Sequence, residues 1–202
     1  PMMISRVAEP MPTPAPQLQL AFLTGQSDPA RCALSPLQRA FGDALLAPGR
    51  VLHPCNFPYD AATPEHRPAA LLAASWHNSR HYLRSRRPGF AAAHAPALVQ
   101  LLHAAPHTLL LVGSCGLELL ANLALPPALA QRCSVLAYGP VARRAPAVAH
   151  LQILVGRQDW ISRLGWRGAR QWVDSGHMDY LQQPDVLAIA RDLAARLQQE
   201  HA

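Results

Sequence analysis

Six short apolar runs alternate along the chain with segments whose apolar residues recur at helical spacing. The runs have the length of β-strands and cover residues 18–23, 50–53, 108–112, 133–137, 151–155 and, more weakly, 172–173. Residues 108–112 read Thr-Leu-Leu-Leu-Val and lack polar alternation, which is typical of a central strand covered on both faces. The pattern therefore predicts a sheet of about six strands.

The segments between these runs predict helices. Ser35-Pro36 resembles an N-cap followed by proline at the first helical position, which predicts a helix to about Leu46. Further helical patterns cover residues 69–85, 90–104, 117–123 and a final stretch after Pro184. Strands that alternate with helices predict a mostly parallel, doubly wound α/β sheet with helices on both faces.

One domain is predicted for residues 17–202, because a chain of 202 residues fits one compact unit and shows no internal repeat. Residues 1–16 are rich in proline with few apolar residues, and are predicted to form a flexible arm. Half of the residues are hydrophobic and 15% are charged, which is typical of a globular protein. No apolar stretch reaches the ~20 residues of a transmembrane helix, so no membrane span is predicted.

The chain has a net charge of +6, and its positively charged residues are all arginines because it has no lysine. The arginines are scattered except for one group at Arg80, Arg84, Arg86 and Arg87. A basic group of this kind suits an acidic partner or an anionic ligand. Because no aromatic or glycine-rich nucleic-acid motif accompanies it, nucleic-acid binding is not predicted.

The cysteines Cys32, Cys55, Cys115 and Cys133 show no Cys-x-x-Cys and no paired Cys/His spacing, so no metal site is predicted. No phosphate-binding loop and no Gly-x-Gly-x-x-Gly motif follows a strand, so no cofactor is predicted. Unpatterned cysteines without a visible signal peptide favour reduced thiols in a cytoplasm. The chain begins at Pro1, which leaves open whether a leader preceded it.

The first candidate for chemistry is the turn Gly113-Ser114-Cys115-Gly116, where residues 108–112 run directly into a helical pattern. A strand that enters a helix through so few residues bends sharply and exposes the side chain at its apex. Cys115 at the apex has Gly113 two positions before it, whereas Ser114 at the apex has Gly116 two positions after it. Cys115 is preferred because this alignment leaves the strand and its following glycine intact, and Ser114 is the alternative.

Two further polar groups follow later strands. Val155-Gly-Arg-Gln-Asp159 presents a carboxylate just past the fifth run, and Gly176 leaves the imidazole of His177 on a loop after the last run. Functional groups of open parallel sheets collect beyond the carboxyl ends of the strands. The order along successive strands is therefore nucleophile, then acid, then histidine.

In that order, and in the segments LLLVGSCG, LQILVGRQD and SGHMDYL, residues 18–200 resemble the α/β-hydrolase family. The resemblance implies Cys115 as nucleophile, His177 as its base and Asp159 as the carboxylate that orients the histidine. Cysteine at this turn is similar to the arrangement in dienelactone hydrolases and polyhydroxyalkanoate synthases, whereas most of the family uses serine.

The resemblance also implies an oxyanion hole made by the backbone N–H groups of Gly116 and Gln26, the latter just after the first strand. The chain departs from the family in having Leu117 in place of the second glycine of the turn and only 18 positions between acid and histidine. The segment that often forms a lid is reduced to the loop 139–150, so little or no lid is predicted.

The function implied is an acyl-transfer hydrolase, a thioesterase or a carboxylesterase, acting on a small acyl substrate. Because thiolates exchange readily with thioesters, an acyl-CoA or an acyl-carrier protein is an attractive substrate for a cysteine nucleophile. The group Arg80, Arg84, Arg86 and Arg87 is then a candidate contact for the acidic carrier or the CoA phosphates. The alternatives are an acyltransferase or cyclase that passes the acyl group to an alcohol or amine, and a non-catalytic acyl-binding protein of the same fold.

Overall fold

Six parallel strands form one sheet in the computed structural model, which describes residues 16–25, 32–59 and 80–201. The strands are β1 (Leu18–Thr24), β2 (Arg50–Asn56), β3 (His107–Gly113), β4 (Cys133–Tyr138), β5 (His150–Gly156) and β6 (Gln171–Val173). They are ordered β2-β1-β3-β4-β5-β6, and every neighbouring pair is parallel. The predicted parallel α/β sheet is confirmed.

Helices cover both faces of this sheet. They are α1 (Pro36–Asp43), α2 (Phe90–His103), α3 (Gly116–Leu123), α4 (Pro127–Ala130), α5 (Trp160–Gly165) and α6 (Pro184–Glu200), with a 3-10 turn at Tyr180–Gln182. Buried residues of α2 and α3 belong to one apolar core, and buried residues of α1 and α6 flank the core on the opposite face. Residues 80–84 are also helical, whereas the earlier part of the helix predicted for 69–85 lies outside the described residues.

The position of β3 between two apolar cores explains its sequence. Leu110 and Val112 belong to the core beneath α2 and α3, while Leu109 and Leu111 belong to the core beneath α1 and α6. All residues of β3 are therefore buried. A strand covered on both faces favours apolar residues on both of them, which accounts for the missing alternation at residues 109–112.

The predicted start of α1 is confirmed, and β2 is longer than predicted. Ser35 caps α1, since its Oγ accepts a hydrogen bond from the N–H of Gln38 at 3.2 Å while the Gln38 side chain accepts one from the N–H of Ser35. By contrast, β2 continues beyond the predicted residues 50–53 through Pro54 to Asn56. Proline lacks a donor N–H, but β2 is an edge strand of the sheet, where a proline is tolerated.

The order of strands positions the functional site. The chain passes from β1 to the edge strand β2 and then crosses back to β3 on the other side of β1. Ligands of open parallel sheets bind where the strand order reverses in this way, beyond the carboxyl ends of the two strands. In this chain that point lies between the end of β1 and the end of β3.

The connection between β4 and β5 has no regular secondary structure. Residues 139–149 join β4 to β5 without a helix or strand, as predicted for the segment that often forms a lid.

Of the predicted arm at residues 1–16, only Pro16 belongs to the described residues. None of the helices within the described ranges is both long and apolar enough to cross a membrane.

Candidate active site

The turn between β3 and α3 consists of Ser114 and Cys115. Ser114 has φ +51°, a left-handed conformation that is uncommon for a residue other than glycine and typical of functional turns. The following Gly116 starts α3 directly against β1, where a Cβ on residue 116 would collide with the carbonyl oxygen of Leu23. The glycine that this close contact requires stands two positions after Ser114. The apex of the turn is therefore Ser114.

Cys115 points into the protein. Its exposed fraction is 4%, and burial raises the pKa of its thiol to about 12. Hydrogen bonds from the backbone N–H groups of Cys115 and Gly25 offset only part of the effect of burial. A buried, protonated thiol is a poor nucleophile. The burial of Cys115 therefore favours the alternative, Ser114, as the candidate nucleophile.

Three side chains form a continuous chain of hydrogen bonds beyond the carboxyl ends of β3, β5 and β6. The Oγ of Ser114 lies 3.2 Å from Nε2 of His177, and Nδ1 of His177 lies 2.9 Å from Oδ2 of Asp159. An ionised carboxylate only accepts hydrogen bonds, so Nδ1 carries the proton that it donates to Asp159. In the neutral ring Nε2 is then free to accept the proton of Ser114.

Asp159 is fully buried, and its carboxylate oxygens accept hydrogen bonds from several protein donors. Its Oδ1 accepts a hydrogen bond from the N–H of Ser162 at 3.0 Å, and its Oδ2 accepts one from the Ser162 hydroxyl at 2.6 Å and one from the Tyr180 hydroxyl at 2.7 Å. Burial by itself raises the pKa of Asp159, but the hydrogen bonds from His177, Ser162 and Tyr180 outweigh burial and hold this pKa well below its usual range. Asp159 is therefore ionised at neutral pH.

Sequence reasoning missed Tyr180 and Ser162. Tyr180 lies in the 3-10 turn just after His177, and its hydroxyl donates to Asp159 while accepting the N–H of Gly156, at the end of β5, at 2.6 Å. One hydroxyl thus joins the end of a strand to the carboxylate that follows it. Ser162 was readable in principle, because Asp159 three positions before it is an N-cap of α5. Tyr180 has no comparable local signal.

We expect Tyr180→Phe to weaken the positioning of Asp159. The variant leaves the Gly156 N–H without its acceptor and Asp159 with one donor fewer, which should cost about 1–3 kcal/mol of the free energy of unfolding. Urea unfolding of the variant and of the wild type measures this effect.

The matched control is Tyr138→Phe, in which the neighbouring ring, 5.9 Å from that of Tyr180 between centroids, loses its hydroxyl instead. Within the described residues Tyr138 makes no hydrogen bond to Asp159 through its side chain. Equal losses of unfolding free energy in both variants would contradict the role of the Tyr180 hydroxyl in supporting Asp159.

The backbone N–H groups predicted for the oxyanion hole are those of Gly116 and Gln26. Gly116 is the first residue of α3, and with Ser114 at the apex of the turn the residue that follows the apex is Cys115. Gln26, the second predicted donor, lies outside the described residues.

One member of the predicted arginine group, Arg86, is paired with a buried carboxylate. The guanidinium of Arg86 binds the buried Glu118, with Nε 2.9 Å from Oε1, and lies over the ring of Tyr82. Arg86 is therefore engaged inside the protein and does not serve as a free contact for a carrier. Arg80, Arg84 and Arg87 are exposed, and their predicted contact with a carrier or CoA remains a proposal.

Comparisons with known proteins bear on the fold alone. No protein-family model matches the chain, and no curated protein matches it by sequence. Among solved structures, the chain is similar to the crystal structure of esterase PE8, with a TM-score of 0.50, 15% sequence identity, and coverage of 92% of this chain and 94% of that one. The likeness extends over nearly the whole of both chains and shows a shared fold.

Proposed function

We propose that the protein is a serine hydrolase of the esterase type, with Ser114 as nucleophile, His177 as general base and Asp159 as the carboxylate that orients the histidine. The hydrogen-bonded chain from the Ser114 hydroxyl through His177 to Asp159 carries this proposal. Its order along the sheet is the one expected of α/β hydrolases, and a similar fold occurs in an esterase.

The first half of the reaction forms an acyl-enzyme. Nε2 of His177 takes the proton of Ser114 as Oγ attacks the acyl carbonyl carbon, which creates a tetrahedral oxyanion. Collapse of this intermediate breaks the bond to the leaving alcohol, which departs with the proton from His177. Asp159 stabilises the imidazolium formed between these two steps, which its low pKa allows because it stays ionised.

The second half returns the enzyme to its starting state. A water molecule gives a proton to Nε2 of His177 and attacks the acyl carbon, and the proton then passes to Oγ of Ser114 as the carboxylic acid leaves. The N–H of Cys115, the residue after the nucleophile, is the donor that we assign to the oxyanion in both halves. The second donor belongs to the segment after β1, where Gly25 already directs its N–H towards Cys115.

The change of nucleophile affects the predicted substrate. The preference for thioesters rested on thiolate chemistry at Cys115, and with a serine at the apex that argument no longer applies. Ser114 attacks the carbonyl carbon of an oxygen ester or a thioester by the same steps. An acyltransferase would use the same acyl-enzyme but release it to an alcohol or amine, which product analysis with and without such an acceptor distinguishes.

Covalent labelling tests the proposed nucleophile. A fluorophosphonate reacts with an activated serine, so we expect one phosphonyl group per chain, located on the peptide that contains Ser114. Ser114→Ala should remove the label, and Cys115→Ala should retain it. Labelling that survives Ser114→Ala, or that depends on Cys115, would overturn the assignment. The absence of any label from the intact protein would favour the non-catalytic alternative.

A further inference from the structure

A groove of about 720 Å³ lies between the loop that follows β4 and the end of α5. One wall consists of residues 141–145, and the other of residues 164–169. The N–H of Val141 in the first wall donates a hydrogen bond to the carbonyl oxygen of Ser114 at 3.0 Å. Ser114, His177 and Asp159 do not line the groove, whose volume is in the range of small-molecule sites.

The floor of the groove is apolar. Ile153 of β5 and Trp166 are each 6% exposed, and Leu151 is partly buried against the same core. Leu164 stands at the edge with 72% of its surface exposed. An apolar floor with an exposed leucine at its rim suits an aliphatic chain.

The rim of the groove is basic. Arg143, Arg144 and Arg167 line it and are exposed, while none of its lining residues, all of which are described, is acidic. Arg144 donates to Ala121 and Asn122. Across the described part of the chain, the guanidinium groups of Arg143 and Arg167 make no hydrogen bond or ion pair. Two charged groups are thus left to meet an anion at the groove.

The wall that carries Arg143 is anchored from inside the protein. Oε2 of Glu118, a side chain only 3% exposed, accepts the backbone N–H of Arg143 at 2.8 Å, and Oε1 of the same carboxylate binds Arg86. The buried carboxylate thereby fixes the backbone of the loop at the point where Arg143 leaves it. This preorganised position is what a specific charge contact requires.

We infer that the groove binds an aliphatic chain that carries an anionic group, a carboxylate or a phosphate, between Arg143 and Arg167. The inference rests on the apolar floor of the groove and on the two guanidinium groups at its rim, and it is independent of the proposed function. Arginine donates in pairs to the oxygens of either anion.

Calorimetric binding to the Ser114→Ala variant tests this inference without a need for turnover. The probes are octanoate, octyl phosphate and 1-octanol, which share a chain and differ in the head group. We expect either anion to bind at least about tenfold more tightly than octanol, with a difference that shrinks in 0.5 M NaCl. Binding of octanoate alone would identify a carboxylate site, and binding of octyl phosphate alone a phosphate site.

Charge removal on the same background locates the site. Arg143→Gln and Arg167→Gln should each weaken anion binding by about fivefold to tenfold and leave octanol binding unchanged. The matched control is Arg39→Gln on α1, which removes the same charge on the opposite face of the sheet. All three arginines are exposed, so the folded state should survive each change, as circular dichroism can check.

Three results would overturn the inference: octanol binding as tightly as the anions, Arg143→Gln and Arg167→Gln acting no more strongly than Arg39→Gln, or no binding of either anion at millimolar concentration. None of them depends on catalysis. Conversely, intact anion binding together with full esterase activity in the Ser114→Ala variant would overturn the proposed function and leave the groove assignment in place.

Discussion

Replacing Ser114 with alanine should lower kcat for p-nitrophenyl acetate by about 10⁵-fold while the protein remains folded. In the proposed mechanism the Ser114 Oγ bonds to the acyl carbon, and alanine offers no atom that replaces it. Cys115 is adjacent in sequence, but its thiol is buried and its pKa is raised to about 12. Steady-state kinetics with enough protein to detect the residual rate would measure the loss.

Cys115→Ala is the matched control for this prediction. Removal of one buried sulfur should cost about 1 kcal/mol of unfolding free energy through the small cavity it leaves, with kcat changed by less than about threefold. The two variants differ by one position in the same turn, so the comparison isolates the chemistry from the packing of the turn. A large loss in Cys115→Ala with little effect of Ser114→Ala would reverse the assignment.

The second large effect is expected for Asp159→Asn, which should lower kcat by about 10⁴-fold. The Asp159 carboxylate accepts the Nδ1 proton of His177 and hydrogen bonds from Ser162 and Tyr180. An amide keeps the shape of the side chain but has one oxygen and a donor NH2 group. It therefore holds the imidazole less reliably in the tautomer that leaves Nε2 free, and it lacks the charge that stabilises the imidazolium.

The same substitution predicts a change in the pH dependence of stability. The pKa of Asp159 is depressed in the folded protein, so its ionised form stabilises the fold above the unfolded-state pKa of about 4. This contribution is lost as the pH falls through the folded-state pKa. The stability advantage of the wild type over Asp159→Asn should therefore be constant near neutrality and shrink on acidification below about pH 4, as urea unfolding at several pH values would show.

Asp174→Asn provides the control for both measurements. Asp174 lies between Asp159 and His177 in sequence and pairs with Arg157 at 3.2 Å, but 74% of its side chain is exposed. Exposed pairs of this kind contribute about 0–1 kcal/mol. Equal kinetic effects of the two substitutions would exclude a special role for Asp159.

Much of the fold was predictable because its determinants are local. The apolar runs indicated the positions of the strands, and the lack of polar alternation in β3 indicated its central position. Ser35 and Pro36 marked the start of α1. The acid and the histidine were recognisable because each follows directly on a strand, and the carboxyl ends of parallel strands share one edge of the sheet.

The residue at the apex of the turn between β3 and α3 is set by tertiary contacts. Ser114 and Cys115 are adjacent, small and polar, so the pattern around them supports either alignment. The choice depends on the contact of Gly116 with Leu23, which belongs to a distant strand, and this contact sets which side chain faces His177. Tyr180 is a similar case, because its bonds to Asp159 and Gly156 exist only once β5 and the turn after His177 have come together.

The sequence by itself determined a doubly wound parallel sheet and the chain order of a candidate nucleophile, a carboxylate and a histidine, because periodicity, capping and strand ends depend on neighbouring residues. The tertiary structure decided that the serine reaches the histidine, that Arg86 holds Glu118, and that Arg143 and Arg167 stand at the edge of an apolar groove. These outcomes depend on burial and on distances between residues far apart in the chain, which no local pattern encodes.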